Sequence, residues 1–257
     1  MAKQIASVMQ LVVILVLLSN VVMAESIDGC KEYSGLGLPG QQGELLCRKG
    51  HLLAHSKEHK TPIWVIERLS ADKAKGNIPR SNKFEPDPDL DEGERAELED
   101  YKGSGYDRGH MAPSADMRWD KQAMEECFFL SNMVPQVGAG MNQGIWKNLE
   151  KYAREMAISR GEVYIMTGPI YADGLKKTIG PNKVGVATHF YKIIYDPYKT
   201  EALAFIMPNQ KIDGSVLQEY LVTVRDVEKK TGLDFLSNMD KDVQDIIENK
   251  KQAVLWH

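Results

Sequence analysis

Residues 106–117 read YDRGHMAPSADM. Asp107, Arg108 and His110 fall within four residues, and Ala112-Pro113 then breaks the segment. Residues two apart in an extended strand share a face, so Arg108 and His110 are expected on one side. Pro113 fixes its own φ and restrains the backbone just behind the histidine. An imidazole held this way suits acid–base work at a placed position, whereas a histidine in an unconstrained loop more often serves structure alone.

The flanking elements set the fold class. Downstream, CFFLSNMVPQ (127–136) reads as a buried strand and GMNQGIWKNLEKYAREMAISRG (140–161) as the clearest helix. Its residues Ile145, Leu149, Tyr152, Ala153 and Met156 recur on one face, and Gly161 ends it. Upstream, GELLCRKGHLLAHS (43–56) and TPIWVIERLS (61–70) read as two strands around the polar turn Lys57 to Lys60. Residues 70–105, with Pro79, Pro86 and Pro88, form a long surface excursion into the motif. EVYIMTG (162–168), VGVATHFYKIIYD (184–196) and EALAFIMPN (201–209) supply further strands. A final helical pair follows, the first helix opening with Ser215 and Gln218 in capping-box spacing and carrying Leu217, Tyr220, Leu221 and Val224. This order predicts an α+β fold, a mainly antiparallel sheet with flanking helices.

The first 24 residues carry Lys3 and the apolar run VMQLVVILVLLSNVVMA, the layout of a secretory signal peptide with Val22 and Ala24 before the cleavage point. Residues 25–257 then form a single domain, periplasmic or secreted, with no stable membrane association after cleavage. That mature part holds 31 Lys+Arg against 36 Asp+Glu, a net charge of about −5. No basic field advertises a polyanion partner, so such a site must be local or must recruit a divalent cation. In an oxidising compartment Cys30 and Cys47 are the expected pair, leaving Cys127 as a buried thiol.

Several chemistries are disfavoured. No G-x-S-x-G frames a serine nucleophile, and Cys127 lies in an apolar run. His110 is left as a general base acting on water, with a metal to stabilise charge. Asn142 immediately precedes the long helix, and Glu150 lies eight residues on, about two turns or ~12 Å along a regular axis. Both residues are therefore not expected as inner-sphere ligands of one ion: Asn142 could bind a cation directly, with Glu150 acting through a metal-bound water. Read from composition alone, Asn142 is a helix cap and Glu150 part of a solvated face.

DRGHMAPSADM, SNMVPQ, MNQGIWKNLE and TGPIY, in that order, resemble the DNA/RNA non-specific endonuclease family, whose site is a ββα-metal finger. The resemblance covers roughly residues 45 to 235. It implies a Mg²⁺-dependent, sugar-nonspecific endonuclease that cuts DNA and RNA to 5′-phosphorylated products, with Mn²⁺ as a substitute ion. His110 is implied as the general base, Asn142 as the direct protein ligand of the ion, and Glu150 as the holder of its water cluster. Arg108 and Arg80 are implied as phosphate-binding catalytic groups, with Arg68 competing for the place of Arg80. Asn132 is implied as a support of the site and is grouped with the substrate contacts. A homodimer is compatible with this sequence, which sets no oligomeric state.

Lys147, Lys151, Arg154, Arg160, Lys121, Lys176, Lys177 and Lys183 form either a phosphate-binding track or ordinary solvated charges. The spacing of His51, His55 and His59 suggests zinc only on a helix, and a hairpin spreads them apart. Asp87, Asp89 and Asp91 begin like a calcium loop but lack its later ligands, so a solvated acidic loop is expected. His189 is expected to be structural. Two other functions fit these residues: a metal-dependent phosphodiesterase or phosphatase on small esters, and a nucleic-acid-binding protein without turnover.

Overall fold

Period-two alternation in residues 61–70 places Val65 and Leu69 on one face of a strand and Trp64 and Ile66 on the other, each in a separate apolar core. A sheet with two buried faces follows, and the computed structural model, which describes residues 28–172, 174–214 and 216–257, has one. Its strands are β1 (Glu44–Cys47), β2 (Leu52–Ser56), β3 (Thr61–Ser70), β6 (Glu162–Ile170), β9 (His189–Asp196), β10 (Glu201–Pro208) and β11 (Leu221–Val222), in that spatial order. Every pairing is antiparallel. Two short ribbons stand outside it: β4 (Asp107–His110) with β5 (Met133–Gln136), and β7 (Thr178–Ile179) with β8 (Val184–Gly185).

One face is covered by the long helix Trp146–Arg160, whose Trp146, Leu149, Ala153 and Ala157 meet Val65, Val163, Phe190 and Phe205 in one core. Against the other face pack Val224 and Val227 of helix Val224–Thr231 and Ile247 of helix Lys241–Asn249. The α+β expectation with a mainly antiparallel sheet therefore holds. Cys30 and Cys47 are bonded, and Cys127 is free and buried. The predicted signal peptide lies outside the described residues, among which no helix is long and apolar enough to cross a membrane.

Several boundaries differ from the sequence expectation. Residues 43–56 form two strands rather than one, because the chain reverses at Arg48–His51, closed by the Arg48 N–H to His51 carbonyl bond at 2.9 Å. Only Met133–Gln136 of the expected strand 127–136 is extended; Cys127 caps helix Lys121–Glu126, and Leu130–Asn132 is one tight turn. The helix predicted from Gly140 begins at Trp146, after an irregular wide turn over Gly138–Ile145 in which Gly140 takes φ +80°. Leu217–Tyr220 is a single turn, and the capping box that starts the next helix is formed by Thr223 and Asp226; Ser215 lies outside the described residues. The acidic loop is not solvated at its start, since Asp87 is buried and bound by Arg48 and Ser131. His51 and His55 are buried in separate surroundings.

Candidate active site

The β4–β5 ribbon and the start of the long helix enclose a cleft of about 1020 Å³. The ribbon pairs Asp107 with Gln136, Arg108 with Pro135, Gly109 with Val134 and His110 with Met133. Glycine at 109 is required by close approach: a Cβ there would lie 2.1 Å from the Gln136 side chain. As the alternation predicts, Arg108 and His110 both face the cleft, with the Phe84 ring beside each, 4.1 Å from the Arg108 guanidinium and 5.7 Å from the imidazole.

His110 is only 8% exposed, and the Phe128 ring meets it edge-on at 4.9 Å. Burial, reinforced by Arg80, by the nearby His51 ring and by Arg108, lowers its pKa to about 3. The imidazole is therefore unprotonated at physiological pH. Glu150 also lines the cleft, and burial raises its pKa to about 7, against the opposing pull of Lys192.

Asn142 lies in the irregular turn, so it is not the cap of the long helix; that position belongs to Ile145, which makes no side-chain cap. The ~12 Å spacing expected from a regular helix consequently does not apply between Asn142 and Glu150. What fixes Asn142 is Asp107, whose Oδ2 accepts from Asn142 Nδ2 at 2.8 Å and from Gln143 Nε2 at 2.7 Å. With its amide N–H engaged there, the Asn142 carbonyl oxygen is left as a hard donor of the kind that could hold a divalent cation. Asp107, the first letter of the motif, was given no role from sequence; its contact with Asn142, 35 residues away, is invisible in local pattern.

Three arginines reach the cleft. Arg80 arrives from the long excursion and donates to Ser114 Oγ at 2.8 Å and Asn82 Oδ1 at 2.6 Å. Arg108 comes from β4, and Arg154 from the long helix, where it pairs with Asp116 at 2.7 Å. Arg68 does not compete: it projects from β3 to the opposite side, paired with Glu162 and over Tyr164. Lys147 and Lys102 complete the positive lining. The broader basic track is not assembled, because Arg160 is buried with Asp196 and Glu201, Lys151 pairs with Glu155, and Lys121 lies near Glu125. Lys177 stands beside the cleft on Tyr106, to whose hydroxyl it donates at 2.8 Å.

Asn132 is a support and not a substrate contact. It is fully buried, accepting from Ala112 N–H at 2.9 Å and donating to the carbonyls of Ala112 at 2.9 Å and Cys127 at 2.8 Å. Its side chain thereby clamps the backbone just behind His110. His189 sits away from this cleft, its Nδ1 on Thr188.

Comparison with known proteins bears on this arrangement. A sequence model described as DNA/RNA non-specific endonuclease matches residues 32–242. Nuclease C1 of Cunninghamella echinulata var. echinulata is 40% identical over 220 residues, covering 79% of this chain and 87% of that protein. Human mitochondrial endonuclease G is 36% identical over 222 residues, 81% of this chain and 74% of its own. A chain in the crystal structure of an EndoG/EndoGI complex superposes with a TM-score of 0.78 at 32% identity, covering 83% of this chain and 94% of that one. The expected periplasmic or secreted location is corrected here, because endonuclease G of Homo sapiens and Bos taurus and nuclease 1 of Schizosaccharomyces pombe are named as mitochondrial.

Two outcomes are expected from the buried groups. Asn132→Ala leaves three buried backbone groups without partners, each worth about 1–3 kcal/mol, so urea unfolding should show a loss of at least about 3 kcal/mol; wild-type stability would refute the clamp. His51, like His110, is held near pKa 3, by burial and then by Arg48. Both stay neutral when folded but protonate near 6.5 when unfolded, so the unfolded chain binds more protons and stability falls as pH drops from about 6.5 towards 3. His51→Phe should flatten that slope in melting temperatures between pH 7 and 4; an unchanged slope would show that His51 is not part of it.

Proposed function

We infer the mechanism from one premise: this chain belongs to the DNA/RNA non-specific endonuclease family and is a nucleic acid hydrolase. We propose that His110 is the general base, taking a proton from the water that attacks the scissile phosphorus. The single observation that carries this is a neutral, buried imidazole opening on a cleft where Arg80, Arg108 and Arg154 converge. The P–O bond to the 3′ oxygen breaks and the leaving oxygen takes a proton from solvent water, giving a 3′ hydroxyl and a 5′ phosphate.

The arginines hold the phosphate and offset the charge that grows on it, a task that suits a planar, permanently charged group. Arg108 is braced by Phe84 and Arg80 by Phe128, whose ring centroid lies 5.1 Å away. Asn142, through its carbonyl oxygen, and Glu150, through water, would hold a divalent cation, Mg²⁺ or Mn²⁺. When bound, such an ion supplies positive charge beside the phosphate and the departing oxygen. Asp107 keeps Asn142 turned the right way.

Recognition addresses phosphate rather than base edges, which supports weak sequence preference. No ribose 2′ hydroxyl takes part, so both polymers are substrates. The open cleft and its flanking Lys102, Lys147 and Lys177 favour a polymer over a small ester.

Wild type is expected to degrade plasmid DNA and structured RNA with Mg²⁺ and to stop in chelator, while His110→Ala loses about a hundredfold or more in kcat/KM. Equal rates for variant and wild type would sink the base assignment. Asp107→Ala, which frees the Asn142 amide, should raise the Mg²⁺ concentration for half-maximal rate by about 10–100-fold, read from metal titration of initial rates; an unshifted titration would remove Asp107 from the site.

A further inference from the structure

The turn that follows the histidine ends in two polar side chains, and each holds an arginine from a different part of the chain. The turn is closed by the Asp116 N–H to Pro113 carbonyl bond at 2.9 Å. Ser114, 4% exposed, accepts from Arg80 Nη1 at 2.8 Å, and Asp116, 1% exposed, accepts from Arg154 Nη1 at 2.7 Å. The backbone between His110 and this turn is pinned as well, with Met111 N–H on the Asn132 carbonyl at 3.0 Å and Ala112 on the Asn132 side chain. His110, Ser114 and Asp116 are thus one rigid piece.

We propose that the Pro113–Asp116 turn is a positioning device, in which Ser114 sets Arg80 and Asp116 sets Arg154 relative to His110. It rests on the reading of these arginines as phosphate-holding groups. Arginine side chains are rotamer-rich and lose conformational entropy when fixed. Fixing them during folding removes that cost from the binding of the phosphate. Asp116 bears the mark of this use: its Oδ2 is buried with no partner, while Oδ1 holds a cation that faces the cleft. An apolar residue would be the more stable occupant of such a place.

The test compares Ser114→Ala, Asp116→Ala and Asp116→Asn, alone and combined with Arg80→Ala or Arg154→Ala. Initial rates are measured on a DNA duplex with Mg²⁺, with melting temperature and duplex binding in chelator as parallel readouts. Asp116→Ala should lower kcat about 10–100-fold, the scale of a ~1 Å misplacement, with KM little changed. Asp116→Asn, whose carbonyl still accepts from Arg154, should recover at least half of that loss on a logarithmic scale. In the Arg154→Ala background Asp116→Ala should add less than about twofold, and Ser114→Ala should likewise be silent in the Arg80→Ala background. Losses that multiply in those backgrounds, or wild-type kcat in Asp116→Ala, overturn the proposal. Wild-type rates in Arg80→Ala and Arg154→Ala would instead overturn the reading of the arginines. If Asp116→Ala does not fold, the Ser114→Ala and Asp116→Asn cycles decide by the same criterion.

Discussion

The pairing of Asp107–His110 with Met133–Gln136 is the constraint on which the site depends. Its register turns Arg108 and His110 to the cleft and brings Gly109 so close to Gln136 that no side chain fits. It also delivers Asn132, the residue just before β5, to the backbone just after β4, where its side chain makes two hydrogen bonds with Ala112 and a third reaches the Cys127 carbonyl. A one-residue slip would turn every side chain over. Clamp, glycine contact and aromatic packing against Phe128 each oppose that slip, so the placement of His110 is over-determined.

The second requirement is a set of charges held away from water. Glu67 and Lys192 project from β3 and β9 onto the face that the long helix covers, buried beside its apolar core. Burial raises the Glu67 carboxyl and lowers the Lys192 ammonium, and each bears electrostatically on Glu150, as Asp116 does. Lys192 donates to Thr167 Oγ1 at 2.7 Å. Buried ionic groups of this kind do little for stability compared with apolar packing. Their retention under the cleft is consistent with a role in setting the field around Glu150 and Arg154.

Much of this was legible in the sequence. The β-branched and aromatic content of residues 61–70, the order of the strand segments and the apolar stripe of the long helix point to the antiparallel sheet with flanking helices. The ordered motifs pick out His110, Arg108, Arg80, Asn142 and Glu150, all of which line one cleft. What escaped was non-local. Asn142 looked like a helix cap because periodicity cannot show that Gly140 and Gly144 interrupt the helix. The 127–136 stretch looked like a strand because apolar content alone does not separate a buried turn from an extended segment. Asp87 looked solvated because its partner Arg48 lies 39 residues away. Asp107, Ser114 and Asp116 have their partners 34 to 38 residues away, beyond the reach of local pattern.

The net charge poses the last question, since the formal charge of the whole chain is −4 and its substrate is a polyanion. Charges separated by more than a Debye length, ~8 Å at physiological salt, are largely screened from one another. What a phosphate meets is therefore the lining of the cleft, where Arg80, Arg108, Arg154, Lys102 and Lys147 outnumber Glu99, Asp107 and Glu150. Asp107 is further masked by two amide donors. Acidic residues elsewhere are engaged locally, as Asp196 and Glu201 are with Arg160 and Asp245 and Glu248 with Arg225. The protein stays acidic overall, and its attraction for phosphate is confined to the cleft that His110 lines.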